Sequence, residues 1–335
     1  MLVLAREARK MTQSDLADRI GMSRAAIGKF ENGDIGVKDE ILDLIAEATN
    51  YPVSFFHQDG EMYPEHLVYR KRENVVQSLL TPLNAKINII RFSIQNILKT
   101  LNIESVELPK YEVTGKDTPQ VIAQKVRKEW RLKQPVLDSI IDVLESKGIA
   151  VASFDFGTER VDSRCVLTDT KYPIIIFNSS LLGDRQRFSI TYQLGHLIMH
   201  TATQVSWERD VAHESNLFAA EFLMPEEDIR KDFENGVTLS LLGELKLKWK
   251  ASMISLLYRA DDLGILTPNQ KRYLIQQFNE QRMRRREPVE LDVPVETTTI
   301  IKKWMNEVKK QQELNDYEMA SLLHLKIEEY IELYY

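Results

Sequence analysis

The segment Arg187-Phe-Ser-Ile-Thr-Tyr-Gln-Leu-Gly-His196-Leu-Ile-Met-His200 decides how the larger part of this chain is read. It has the form of a zinc-binding helix. In such a helix the pattern His-Glu-x-x-His sets two histidines at i and i+4 on one face to grip Zn²⁺, and the Glu polarises the attacking water. Here Tyr192 stands at the first His, Gln193 at the Glu, and His196 at the second His. A phenol with a pKa of about 10 is a poor zinc ligand, and an amide cannot take a proton from water. The segment marks a fold while arguing against its reaction.

Working outward, the flanks alternate. A helix carrying Val121, Val126 and Trp130 is followed by one predicted from Val136 to Ser146, stopped at Gly148. Three short runs, Ile149–Phe154, Arg164–Thr168 and Tyr172–Phe177, read as a small sheet bounded by Gly157 and Asp169. Asn178 ends the last strand and Asp184-Arg-Gln-Arg187 opens the helix. A second helix runs from His213 to Pro225, whose ring terminates it. Residues 237–291 continue helical through Leu239, Leu242, Leu245, Leu247 and Trp249. The basic run Arg282–Glu287 reads as solvated surface.

The order of these motifs resembles the ImmA/IrrE family of metallopeptidase-like domains across residues 117–291. The resemblance is carried by Asn178-Ser, Asp184-Arg-Gln-Arg-Phe, Leu194-Gly-His-Leu, Asn216-Leu-Phe-Ala-Ala-Glu-Phe-Leu-Met-Pro225, Leu263-Gly-Ile and Arg286-Glu-Pro288. It implies a zincin-like α+β fold in which Tyr192 and Gln193 occupy the places of a ligand and the base. It also implies a third ligand, a Glu at the start of the second helix. Ala212 falls where that Glu often stands, leaving Glu214 as the nearby carboxylate. Tyr192, Gln193, His196 and Glu214 are thus the vestigial site, with no catalysis and no cofactor expected. The weak alternative is zinc on an improvised set, His196 and His200 four apart with His213 or Glu214. Against it, His200 near a helix end also suits a capping donor.

The first sixty residues carry a different signature. In Met11–Gly33, Thr12 is an N-cap, and Leu16, Ala17 and Ile20 share an apolar face. Gly21 breaks the helix, Met22 plugs the corner, and Ser23 caps a second helix with Ile27 and Phe30 inward. Two helices joined by a three-residue turn containing Gly have helix-turn-helix geometry. Its outward residues Arg24, Ala25, Gly28 and Lys29 would face the major groove, with Gln13 and Asn32 where phosphates pass and the cap Ser23 counted among the DNA-binding residues. A hairpin used only for packing or dimerisation is the structural alternative, and residues 1–70 favour it by holding eight Lys or Arg against twelve Asp or Glu. Residues 3–56 resemble the Xre family, the lambda-repressor-like helix-turn-helix, in the Thr-Gln opening, the Gly-x-Ser turn, the Glu-Asn-Gly end and the Pro52–Phe56 closing helix.

Between the two regions, Tyr69-Arg-Lys-Arg-Glu73 is a basic cluster, read as a solvated charge run with phosphate contact as the alternative. The apolar series Leu79 to Leu101 predicts one or two long helices, a packing surface and dimerisation element. After Pro294, two amphipathic helices are expected. Within them Leu314–Tyr330 echoes Met11–Ile27 at an offset of 303, with Glu328 and Glu329 repelling phosphate where Ala25 and Ala26 face the groove.

The expected architecture is mainly α with a small β-sheet (α+β). It comprises a helix-turn-helix domain (1–60), a helical connector (61–116), a pseudo-metallopeptidase domain (117–291) and a helical tail (292–335). No run of 18 apolar residues appears and no cleavable leader is read at Met1–Glu7, so a cytoplasmic protein without membrane contact is expected. The single cysteine, Cys165, excludes an intramolecular disulfide, and a net charge of -6 means that any DNA contact must rest on a local patch. The resulting expectation is a DNA-binding transcriptional regulator, a repressor or antitoxin. It would be a homodimer on a double-stranded operator, and its inactive domain would sense a ligand or hold a toxin or other protein partner. The alternative is a zinc metallopeptidase that cleaves a repressor.

Overall fold

The computed structural model describes residues 1–60, 62, 70–71, 75–201, 208–284 and 286–335. Five helices fill the first part: α1 (Leu2–Ala8), α2 (Gln13–Ile20), α3 (Arg24–Glu31), α4 (Asp39–Thr49) and α5 (Val53–Phe56). Their ends follow from capping chemistry. The Thr12 hydroxyl accepts the Asp15 N–H, and the Asp15 carboxylate accepts the Thr12 N–H in return. Gly21 sits at φ 68°, a left-handed turn that suits a residue without Cβ, and the Ser23 hydroxyl accepts the Ala26 N–H to start α3. Leu16, Ala17, Ile27 and Ile45 form a small core of their own.

The chain continues through a two-residue strand β1 (Arg70–Lys71) into α6 (Gln77–Thr100), a single helix, and then α7 (Pro119–Glu129) and α8 (Ile140–Ser146). Helix α8 begins four residues later than Val136, because the Ser139 side chain caps the Asp142 N–H and fixes the start there. Strands β2 (Ala150–Phe154), β3 (Val161–Leu167) and β4 (Pro173–Asn178) complete a sheet of order β1-β3-β4-β2. Strands β2 and β4 are parallel, and the other pairs are antiparallel, with Cys165 opposite Ile175. The edge strand β1 is absent from the sequence-based sheet, since two residues carry no readable alternation.

Helix α9 (Gly183–Met199) lies on this sheet and α10 (Val211–Leu223) crosses it. The crossing is close: a Cβ on Gly195 would stand 2.8 Å from the Phe218 ring. A separate core joins α11 (Glu226–Asp232), α12 (Leu239–Trp249), α13 (Met253–Asp262) and α14 (Pro268–Glu280). The run Arg282–Glu287 is not wholly the solvated surface that its charges suggest. Glu287 is buried, 2.7 Å from Lys246, and accepts the N–H groups of Met253 and Ile254 at the start of α13. A buried ammonium requires such a carboxylate partner.

The tail forms three helices rather than two, α15 (Ile300–Gln312), α16 (Asp316–Leu322) and α17 (Ile327–Tyr334). The extra break is at His324, which adopts φ 57° without being glycine. These helices repeat α1–α3 at the offset of 303. Asn315 and Glu318 form a capping box where Thr12 and Asp15 do, and Glu313 (φ 53°) corresponds to Lys10 (φ 59°), as His324 does to Gly21. Even the turn hydrogen bonds coincide, Met22 N–H to Ala17 C=O and Leu325 N–H to Ala320 C=O, both 2.9 Å.

The largest core binds the two ends of the chain together. Ile87, Ile90, Ile94 and Ile97 of α6 are buried with Leu4 and Ala5 of α1, with Met305, Met319 and Tyr330 of the tail, and with one face of the sheet. Helix α6 therefore spends most of its apolar surface within its own chain. Glu329, at the position matching Ala26, is buried, 2.5 Å from Arg9, and accepts the Tyr51 hydroxyl hydrogen bond at 3.0 Å. Among the described residues no helix is long and apolar enough to cross a membrane.

Candidate functional site

On the helix-turn-helix, α3 presents Arg24, Ala25 and Lys29 to solvent, and Asn32 closes the helix in an exposed position. The Ser23 oxygen is engaged at the cap. Gly28 is half-buried because the Gln13 amide lies over it, 3.8 Å from where a Cβ would be. Gln13 itself donates to Glu31 at 2.9 Å. Glu31 also receives Arg6 at 2.5 Å, so one carboxylate ties α1, α2 and α3 together. Nothing in the periodicity announces that role. Beside this surface a cleft of about 600 Å³ runs between Lys10, Gln13 and Arg24 and the first turns of α6 at Ser78 and Thr81.

In the second domain the catalytic-type helix α9 has redirected its key side chains. Gln193 is fully buried and faces β3: its amide donates to the Ser163 carbonyl at 3.0 Å and to the Ser163 hydroxyl at 3.1 Å, and its oxygen accepts the Cys165 N–H at 3.1 Å. The side chain thus acts as a short extra strand, satisfying backbone groups of β3. Tyr192, one residue earlier, is 2 % exposed and lines a different space. Burial pushes its phenol up to about 12, against the pull of the neighbouring Arg70 guanidinium.

His196, His200 and Glu214 form a chain rather than a cage. His196 Nδ1 meets His200 Nδ1 at 2.9 Å, and His200 Nε2 meets the Glu214 carboxylate at 2.7 Å. The carboxylate fixes the proton on His200 Nε2, which leaves Nδ1 as an acceptor for the His196 Nδ1–H. Burial, reinforced by His200, depresses His196 to about 3. Burial also lowers His200, opposed by Glu214. Against burial, which would raise it, Arg209 and His200 hold Glu214 below the usual carboxylate range, Arg209 by two hydrogen bonds at 2.9 and 2.5 Å. His213 is exposed, and its backbone N–H is engaged by Asp210.

This donor set does not fit zinc. A shared ion needs one nitrogen from each ring and the carboxylate oxygen at a common point. Here Glu214 is bound to the nitrogen of His200 opposite the one that meets His196, and Gln193 has turned away. Among the described residues no group of three or more His, Cys, Asp or Glu side chains is arranged to hold a metal ion.

The motif charges have structural partners. Asp184 pairs with Lys246, Arg185 with Asp162, Arg187 with Glu296, and Glu221 with Arg259. The basic cluster before α6 holds the largest departure from expectation. Its Arg72 lies outside the described residues, but Arg70 is only partly exposed and already holds an acid. Its guanidinium is 2.9 Å from Asp162 and stacks 4.8 Å from the Phe188 ring and 5.7 Å from the Tyr192 ring. Arg70 and Tyr192 line one side of a cleft of about 570 Å³, completed by Lys71, Phe188, Asn216 and Arg284 among others.

Two family models match the chain, in separate segments. Residues 2–56 match the helix-turn-helix family model, and residues 144–261 match the peptidase M78 model, described as the IrrE N-terminal-like domain, a shorter span than 117–291. No curated protein matches the chain. The chain therefore joins an Xre-like helix-turn-helix domain to an IrrE N-terminal-like domain of the peptidase type.

Proposed function

We propose that this protein is a sequence-specific DNA-binding transcriptional regulator whose peptidase-type domain no longer cleaves peptides and instead receives a ligand or a protein partner. The observation that carries the DNA-binding half is the second helix of the helix-turn-helix, capped by Ser23 and presenting Arg24, Ala25 and Lys29 to solvent. An Arg reads guanine and a methyl group meets thymine from such a position, while Asn32 and Gln13 flank the phosphate path. The acidic balance of residues 1–70 makes a single reader weak, which favours a homodimer on two half-sites. Loss of the catalytic base supports the second half, because Gln193 is a fixed part of the sheet. A toxin-neutralising role fits the same architecture.

The test is retention of a duplex selected from a random library. Arg24→Ala with Lys29→Ala is expected to abolish specific retention while far-UV circular dichroism stays unchanged. Specific retention by the double variant removes the assignment of α3 as the reader.

A further inference from the structure

The cleft beside α9 has features that neither zinc chemistry nor packing uses. Tyr192 is 2 % exposed overall and lines the cleft, and among the described residues no hydrogen bond engages its hydroxyl. Because burial keeps that phenol protonated, it offers a donor to whatever occupies the cleft. At the mouth, Lys71 and Arg284 are exposed and pair with no described acid. Of the acids lining the cleft, Asp162 pairs with both Arg70 and Arg185, Asp184 and Glu287 share Lys246, and Glu159 is exposed. Phe188, Ile254 and Met283 supply apolar wall between the two polar ends.

We infer that this cleft binds a small organic anion, a carboxylate or phosphate monoester on an apolar body, whose charged group meets Lys71 and Arg284 and which accepts a hydrogen bond from the Tyr192 hydroxyl. The volume, about 570 Å³, is that of a metabolite site. The inference rests on reading this domain as a receiver rather than a catalyst, and it names the chemistry received. Arg70 lies 5.7 Å from the Tyr192 ring centroid inside the cleft.

Isothermal titration of the full chain with benzoate, phenyl phosphate and benzyl alcohol tests this. The expected result is saturable one-site binding of benzoate or phenyl phosphate, with benzyl alcohol at least about tenfold weaker. Tyr192→Phe, which keeps the ring and removes only the donor, should weaken anion binding about tenfold. Lys71→Glu with Arg284→Glu, both at exposed positions, should abolish it. Absence of binding by both anions at millimolar concentration, equal binding of the alcohol, or variants that bind as the parent does would each overturn the site. Retention of the selected duplex by the same parent preparation is measured in parallel. A protein that holds DNA but no anion refutes this inference alone, and one that holds no DNA refutes the regulator reading.

Discussion

The side-chain oxygen of Gln193 accepts the backbone N–H of Cys165 at 3.1 Å, so the residue at the position of a catalytic base works as a piece of sheet. Gln193→Glu restores the base by composition only. The carboxylate loses the donor that serves Ser163 and places an acid at a fully buried position, so a loss of about 2–4 kcal/mol in stability is expected by urea denaturation. Peptide cleavage is not expected to appear.

Added zinc should leave the melting temperature unchanged, and elemental analysis of protein purified without chelator should find less than one zinc per chain. The reason is geometric, since His200 turns opposite nitrogens to His196 and Glu214. Stoichiometric zinc together with cleavage that depends on His196 would falsify the non-catalytic reading.

Acid should destabilise the fold through His196. Its folded pKa, about 3, lies below the unfolded value of about 6.5, so between these limits the unfolded chain binds the extra proton. The contribution is complete above pH 6.5 and shrinks as pH falls, by about 1.4 kcal/mol per pH unit until the folded value is reached. His196→Gln should show a correspondingly flatter decline between pH 6.5 and 4 in urea titrations at each pH.

Glu329→Gln should loosen the reader. Breaking a buried ion pair costs about 3–5 kcal/mol, less here because Arg9 is one-fifth exposed, so about 2 kcal/mol is expected. Hydrogen exchange should rise in α1 and at Tyr51 while α9 and α10 stay protected. Uniform exchange across the chain would show that the contact does not hold the reader in place.

What could be read from the sequence was local. Thr12, Gly21 and Ser23 write helix ends in capping chemistry, and the structure places each end there. Tyr192 and Gln193 could be seen as substitutions, but not the direction they turned, because adjacent helical residues face different neighbours. Arg70 was opaque for a related reason. A two-residue strand has no periodicity, and its partner Asp162 is far along the chain. The tail reads as two helices because His324 stands at the turn-glycine position of the repeat, and a histidine does not mark the left-handed turn that it makes there. Glu31 and Glu287 look like surface acids until the guanidinium and ammonium that bury them are in place.

The pairing of Arg9 with Glu329 also sets a timetable. A ribosome releases α1 to α5 early, with enough small core to form on their own, but the groups that seat them emerge last. Until the tail helices are out, the apolar core shared by α1, α6 and the sheet lacks part of its cover, which exposes the nascent chain to aggregation and to chaperones. Any shortened product keeps its reader but loses the anchor. The seating of the reader thus depends on residues from the far end of the chain.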